Sequence, residues 1–214
     1  MKYRAALLLS LLLLAAGCNR RNDEQSLFYS DGRSKPVVAL VPVIDSSDHD
    51  LSWSLSDEFT STIQDRLLQR EMLFLIDNKR VQAITQTLKE ENNPFGTDLN
   101  WIKTAFPKQE FVVFMELIEH RETAAVVFSE SPVELNMSMR LRIFDLRGTT
   151  PKVVLQELIH ESEYLSMGFT HNNFFQVPWG RESFSITPLG LAHAKLIKEV
   201  SGRIEDYILI AKSN

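Results

Sequence analysis

The sequence predicts a single mixed α/β domain in which helices pack on one sheet, and three patterns predict it. A β-branched run at 37–44, bounded by Pro36 and by Asp and Ser residues, is followed by two rounds of helical spacing and short apolar runs. From Val133 to Ile143 apolar and polar residues alternate strictly, the period of a strand with one face buried and the other wet. A last segment opens with Thr187-Pro188, an N-cap followed by proline at the first helical position, and carries an apolar stripe to the C-terminus. The resulting order is βαβα(α)βββα, a mixed sheet with helices laid on it.

Taken in order, Val37 to Ile44 is a buried strand and Asp45-Ser-Ser-Asp-His-Asp50 the loop after it. Ser56 is the expected N-cap of a helix through about Arg70, with Asp57 and Glu58 in the first turn, where the helix dipole favours anions. Phe59, Ile63 and Leu67 fall four apart on one stripe. Met72 to Ile76 is a second strand; Asp77 caps a helix whose Val81, Ile84 and Leu88 share a face until Asn92-Asn93-Pro94. Asp98 caps a short helix to Ala105, and Phe111 to Ile118 is a third strand. The alternating strand turns at 147–151 and returns over Lys152 to about Glu163. An irregular stretch, Tyr164 to Ile186, precedes the last helix, with its stripe Leu189, Ala192, Leu196, Val200, Ile204 and Ile208.

Ahead of the domain stands a leader. Lys2 and Arg4 precede an apolar run, Ala5 to Ala16, broken only by Ser10 and long enough for a helix of about 18 Å, short of a ~30 Å hydrocarbon core. That is the layout of a secretory signal peptide. Its end, Leu14-Ala15-Ala16-Gly17-Cys18, resembles the lipobox of bacterial lipoproteins, with Ala15 where Leu is usual. The resemblance implies cleavage before Cys18, acylation of its thiol with palmitate-type chains, and acylation of the new amine. Three such chains bind a bilayer firmly where one binds marginally. Asn19, rather than Asp, follows the cysteine, which in that family favours the outer membrane. The expected organisation is signal peptide 1–17, lipidated cysteine and tether 18–35, and one domain over 36–214. As a flexible chain the tether would have a root-mean-square reach of about 20–25 Å.

Composition narrows the partners. Loss of Lys2 and Arg4 leaves 21 basic against 28 acidic residues, a mature charge of −7. Nucleic-acid binding needs clustered cations, and no basic stripe is visible here. Cys18 is the only cysteine, so no disulfide supports the fold and the core must do so alone.

The buried run ending in Pro42-Val43, the Asp/Ser loop with Trp53, the segment Met72-Leu-Phe-Leu-Ile-Asp-Asn-Lys-Arg80, the helix ending Leu88-Lys-Glu-Glu91 and the strand Glu110 to Leu117 resemble one group of periplasmic lipoprotein domains. It includes curli-secretion proteins, the N-terminal domain of the Tol-system propeller protein, and lipoprotein activators of penicillin-binding proteins. Met115 stands where that group usually has glycine. The ending Trp179-Gly-Arg-Glu182, Ile186 to His193 and Arg203 to Tyr207 is similar to a chlamydial family of envelope lipoproteins. These resemblances imply a periplasm-facing domain that works by binding.

The densest polar cluster, Asp45, Asp48, His49 and Asp50, supplies loop ligand candidates at the carboxyl end of the first strand, where open α/β sheets bind ligands. It lacks the EF-hand spacing and glycine, and Asp and Ser are also what such loops use for turns and caps, so no metal is assigned. His160-Glu161 begins a zinc-protease pattern, but Tyr164 replaces the second histidine. His120, His171 and His193 have no partner at ligand spacing and are expected at the surface or in caps. No nucleophile elbow or phosphate loop is present, and no cofactor is implied. Between Tyr164 and Phe184, Phe169, Phe174, Phe175 and Trp179 either fold back over the sheet or form a partner surface, since aromatic side chains carry much hot-spot energy. Arg140 and Arg142 on the polar face of the alternating strand argue against a lipid-facing pore.

The expected function is a lipid-anchored, periplasm-facing envelope protein, non-catalytic, that binds another envelope protein as adaptor or assembly factor. The alternatives are a ligand-binding or hydrolytic enzyme using the Asp45–Asp50 loop, and a subunit of an oligomeric secretion collar.

Overall fold

A computed structural model describes residues 25–89, 91–124, 133–165 and 177–214, and in it the expected mixed sheet with packed helices is present. Its strands are β1 (Val37–Leu40), β2 (Ile44–Asp45), β3 (Phe74–Leu75), β4 (Phe111–Ala124), β5 (Val133–Asp145) and β6 (Lys152–Leu165). Its helices are α1 (Leu55–Arg70), α2 (Asn78–Thr85), α3 (Asn100–Ala105) and α4 (Pro188–Ser213), with a 3-10 turn at Glu182–Ile186. Strand order is β3-β1-β4-β5-β6; β1 pairs in parallel with β3 and β4, whereas β4, β5 and β6 run antiparallel.

Local chemistry explains where elements differ from the periodicity. The first strand is interrupted because Pro42 has no N–H to donate; β2 re-pairs with β4 only at Ile44. Helix α1 starts earlier than expected: Ser54, not Ser56, is the N-cap, its hydroxyl accepting from the Asp57 N–H, while Ser56 donates to the Val43 carbonyl. Asp77 caps α2 and Thr187 caps α4 as expected, the latter accepting from the Gly190 N–H at 3.0 Å. The tether expected over 18–35 is tied down from Gln25 onward, where the chain folds into a hairpin-like turn against β3.

Two apolar clusters sandwich the sheet. On one face Phe111, Val113, Met115 and Leu117 of β4, with Met137, Met139 and Leu141 of β5, pack under Phe59, Ile63 and Leu67 of α1 and Leu196, Val200 and Ile204 of α4. On the other face Val112, Phe114 and Phe144 meet Val81 of α2, Ile102 of α3 and Phe106 just after it. Period-two alternation therefore marks β5 correctly, but its second face is not wet at this end. Arg142 is buried, donates to the carbonyls of Pro94 and Gly96, and lies over the Phe144 ring; Arg140 pairs with Glu116 and lies 4.2 Å over Phe95. Two guanidiniums that look solvated in the sequence hold a loop down instead.

One residue of β4 changes everything beyond it. Leu117 is opposite Met139, Glu119 is opposite Ser138, and Ile118 between them has no partner: a β-bulge. Because side chains alternate, the extra residue reverses which parity faces the first cluster. His120 lands opposite Met137 and is buried; without the bulge Glu119 would take that place and His120 would point outward.

Gly190 permits the close entry of α4. A Cβ there would meet the Phe184 carbonyl oxygen at 2.1 Å, a backbone atom that cannot swing aside. Gly190→Ala should destabilise by about 1–3 kcal/mol, a melting-temperature loss on the order of 5 °C, measurable by thermal denaturation. An unchanged midpoint would show that the turn relaxes freely.

Candidate functional site

At the bulge, a line of polar side chains crosses the core between the carboxyl end of β1 and the start of α4. His193 sits on the apolar face of α4, four residues after Leu189 and three before Leu196, and is almost wholly buried. Glu58, in the first turn of α1, is buried with it; its Oε1 accepts from His193 Nδ1 at 2.6 Å and its Oε2 from Trp53 Nε1 at 2.7 Å. The carboxylate can only accept, so the proton on His193 is fixed at Nδ1. That leaves Nε2 of His193 facing Nε2 of His120 at 2.9 Å, with His120 as donor when His193 is neutral. Phe59, Phe184 and Trp53 surround the pair: both phenyl rings lie within 6 Å of the His193 ring, and Trp53 packs edge-on against Phe184.

The line continues outward. The His120 ring packs edge-on against His49, centroids 5.8 Å apart. His49 accepts from the Leu51 N–H at Nδ1 and so donates from Nε2 to Asp45, 3.0 Å away, while Asp45 also accepts from the N–H and hydroxyl of Ser47. Asp45 and His49 thus serve to shape the loop. Asp48, His49 and Asp50 line a cleft of about 210 Å³ together with Leu51, His120, Arg121 and Glu122. A second, shallower hollow shares Asp48, His120 and Arg121 and continues over the sheet to Ser138 and Leu158. No group of three or more His, Cys, Asp or Glu among the described residues is arranged to hold a metal ion.

The sequence brought the Asp45–Asp50 loop forward but missed what lies beneath it. His120 and His193, expected at the surface or in caps, are buried against each other, and Glu58, expected only as a first-turn acid, is their anchor. For two of the three the signal was present in helical spacing: Glu58 is three residues from Leu55 and His193 four from Leu189, both on the buried faces. His120 depends on the bulge and had none. Of the aromatic candidates, Trp179 is partly buried against the first cluster, Phe184 covers His193, and Phe169, Phe174 and Phe175 lie outside the described residues, as does Cys18.

Burial, reinforced by the neighbouring rings of His193 and His49, lowers the His120 pKa from 6.5 to about 2. The unfolded chain takes up a proton there near pH 6.5 while the folded chain does not. The depressed value therefore contributes stability above pH 6.5 that is lost as pH falls, up to about 1.4 kcal/mol per unit. Between pH 7 and 5 the wild type should lose about 2 kcal/mol more than His120→Gln, whose amide still donates to His193 but does not titrate. Chemical denaturation at several pH values checks this, and parallel pH profiles for the two proteins would refute it.

The chain matches the model of a Family of unknown function (DUF7499) over residues 24–212, and it belongs to that family. No curated protein matches it. Among solved structures, the hypothetical protein CT253 from Chlamydia trachomatis is similar at 28% identity and a TM-score of 0.67, over 82% of this chain and 98% of that one. The structural neighbours include bacterial lipoproteins. Lipoprotein GNA1162 from Neisseria meningitidis aligns at 10% identity and a TM-score of 0.43, over 80% of this chain and 99% of that one. A minor lipoprotein from Acinetobacter baumannii aligns at 11% identity and 0.35, over 79% and 92%. Scores that low carry no argument about the site.

Proposed function

We propose that this member of the DUF7499 family is a lipid-anchored bacterial envelope protein, held through acylated Cys18 with the outer membrane favoured, that acts by binding another envelope protein rather than by catalysis. The observation that carries the reading is the open sheet face beside the cleft. Beyond Phe114 no residue of the second apolar cluster lies on β4, and the large apolar side chains Ile118 and Leu158 on that face are 39% and 57% exposed. They flank a hollow whose floor is polar, with Ser138 bonded to Glu119 and His160. Apolar anchors within a polar, hydrogen-bonded surround are the anatomy of a protein interface. A binding role is also supported by the histidines: both nitrogens of His49, both of His193 and Nε2 of His120 are already engaged within the protein.

A second reading has one observation behind it. The cleft that joins Asp48, His49 and Asp50 to His120 is concave and polar, as a small-ligand site requires. A small molecule recovered from the denatured wild-type protein, and lost from Asp48→Ala, would favour it.

Two measurements test the main reading. Cells fed labelled palmitate should label the wild type and not Cys18→Ala; label in the variant would remove the anchor. Photo-crosslinking residues at 118 and 158 should capture a discrete envelope protein in cells, whereas residues at 191 and 210 on α4 should not. Capture only from α4 would move the interface elsewhere.

A further inference from the structure

The N-terminal segment is fastened to one end of the domain. The Gln25 side-chain amide accepts from the Leu75 N–H at 2.9 Å and donates to the Leu75 carbonyl at 3.2 Å, taking the place of a strand residue on the open edge of β3. Tyr29 donates its hydroxyl to the Met72 carbonyl at 2.7 Å. The turn between is closed by Tyr29 N–H to Arg33 carbonyl and Lys35 N–H to Leu27 carbonyl, with Gly32 at φ 84°. The chain is therefore pinned at Gln25, and the seven residue steps from Cys18 to that point span at most about 25 Å when fully extended.

That end of the domain exposes apolar side chains. Leu27, Phe28 and Met72 are all exposed there, Phe28 at 52%. Arg33 projects beside them with its side chain largely in solvent, ion-paired to Asp31 and set against the Tyr29 ring, while Lys35 is buried on that ring. Exposed apolar side chains at this end suit the boundary between acyl chains and headgroups. The long helix gives the distance to the other end. Near its C-terminus Glu205 bonds Arg70 at the end of α1, close to Met72, at 2.9 Å. His193 lies twelve residues nearer its start, about 18 Å along the axis, and Leu191 a little farther.

We propose that the Leu27–Phe28–Met72 end rests on a phospholipid surface, the one that holds the acyl chains of Cys18, and that α4 carries the His120 cleft to the far, aqueous side. The placement rests on the lipidation of Cys18. The short reach from the anchor decides for the bilayer over a second copy of the chain or another protein as what covers this patch.

The test uses the full-length protein extracted from membranes, with its one native thiol blocked by lipid. Single cysteines at exposed positions (Phe28→Cys, Met72→Cys, Leu158→Cys and Ile186→Cys) take a nitrobenzoxadiazole label. The proteins are then reconstituted into vesicles of phosphatidylethanolamine and phosphatidylglycerol containing headgroup-region spin-labelled lipid. Quenching at 28 and 72 should exceed that at 158 and 186 at least threefold. Equal quenching at all four, or protection at 28 that depends on protein concentration instead of on lipid, would overturn the placement while leaving lipidation intact. Intact mass separates the two failures: a mature chain without acyl mass on Cys18 would overturn the anchor and the placement together.

Discussion

The hydrogen bond from His193 to Glu58 joins residues 135 apart in the chain, and the arrangement of the main core depends on it. Both groups are buried, and a carboxylate removed from water is tolerable only with its lone pairs answered. Trp53 answers one oxygen and His193 the other, so α1, the segment before it and α4 must come together in one register. A sheet face offering only Leu, Ile and Val would let α4 slide along α1 with little penalty. The polar pair forbids that, because a shift of one helical turn would strand a buried acid. At the other end of the same helix pair, Glu205 and Arg70 repeat the device less completely: one carboxylate oxygen meets the guanidinium, the other has no partner, and burial raises the Glu205 pKa.

The bulge at Ile118 is the second constraint, and it works through parity. Before it, β4 sends odd-numbered residues to the α1–α4 face; after it, even-numbered ones. One unpaired residue is thus what places an imidazole where a carboxylate would otherwise sit, beside His193. Ile118 itself keeps the outward parity of Val112, Phe114 and Glu116 and is exposed.

Much of the fold was legible because it rests on periodicity. The alternation of β5, the Thr187-Pro188 start of α4 and the Asp77 cap are local signals, and tertiary packing agreed with each. Less was legible where a single atom decides. Pro42 lacks the N–H that a continuous first strand needs, and Ser54 outcompetes Ser56 as cap because Ser56 finds the Val43 carbonyl. Arg142 looked solvated because its carbonyl partners, Pro94 and Gly96, lie 48 and 46 residues away. The site shows the same division. The Asp45–Asp50 loop stands out in the sequence by density of ligand-type residues, yet half of that density is spent within the loop. Its buried companions looked ordinary, because each is a lone polar residue until the bulge and the helix pair bring them together.

A histidine line of this kind holds its parts in place. His120 directs Nε2 inward to His193, and burial lowers its pKa. It provides a rigid, uncharged wall. The imidazole edge seals the core from the cleft, His49 packs edge-on against its outer side, and Asp45 fixes His49 in turn. Each ring is positioned by the next, back to a carboxylate locked between two helices. The loop that lines the cleft is therefore braced by the best-packed part of the molecule, although its own residues are largely solvent-facing. A preformed surface loses less conformational entropy on binding than one that must order itself, and that saving is what such bracing contributes to recognition.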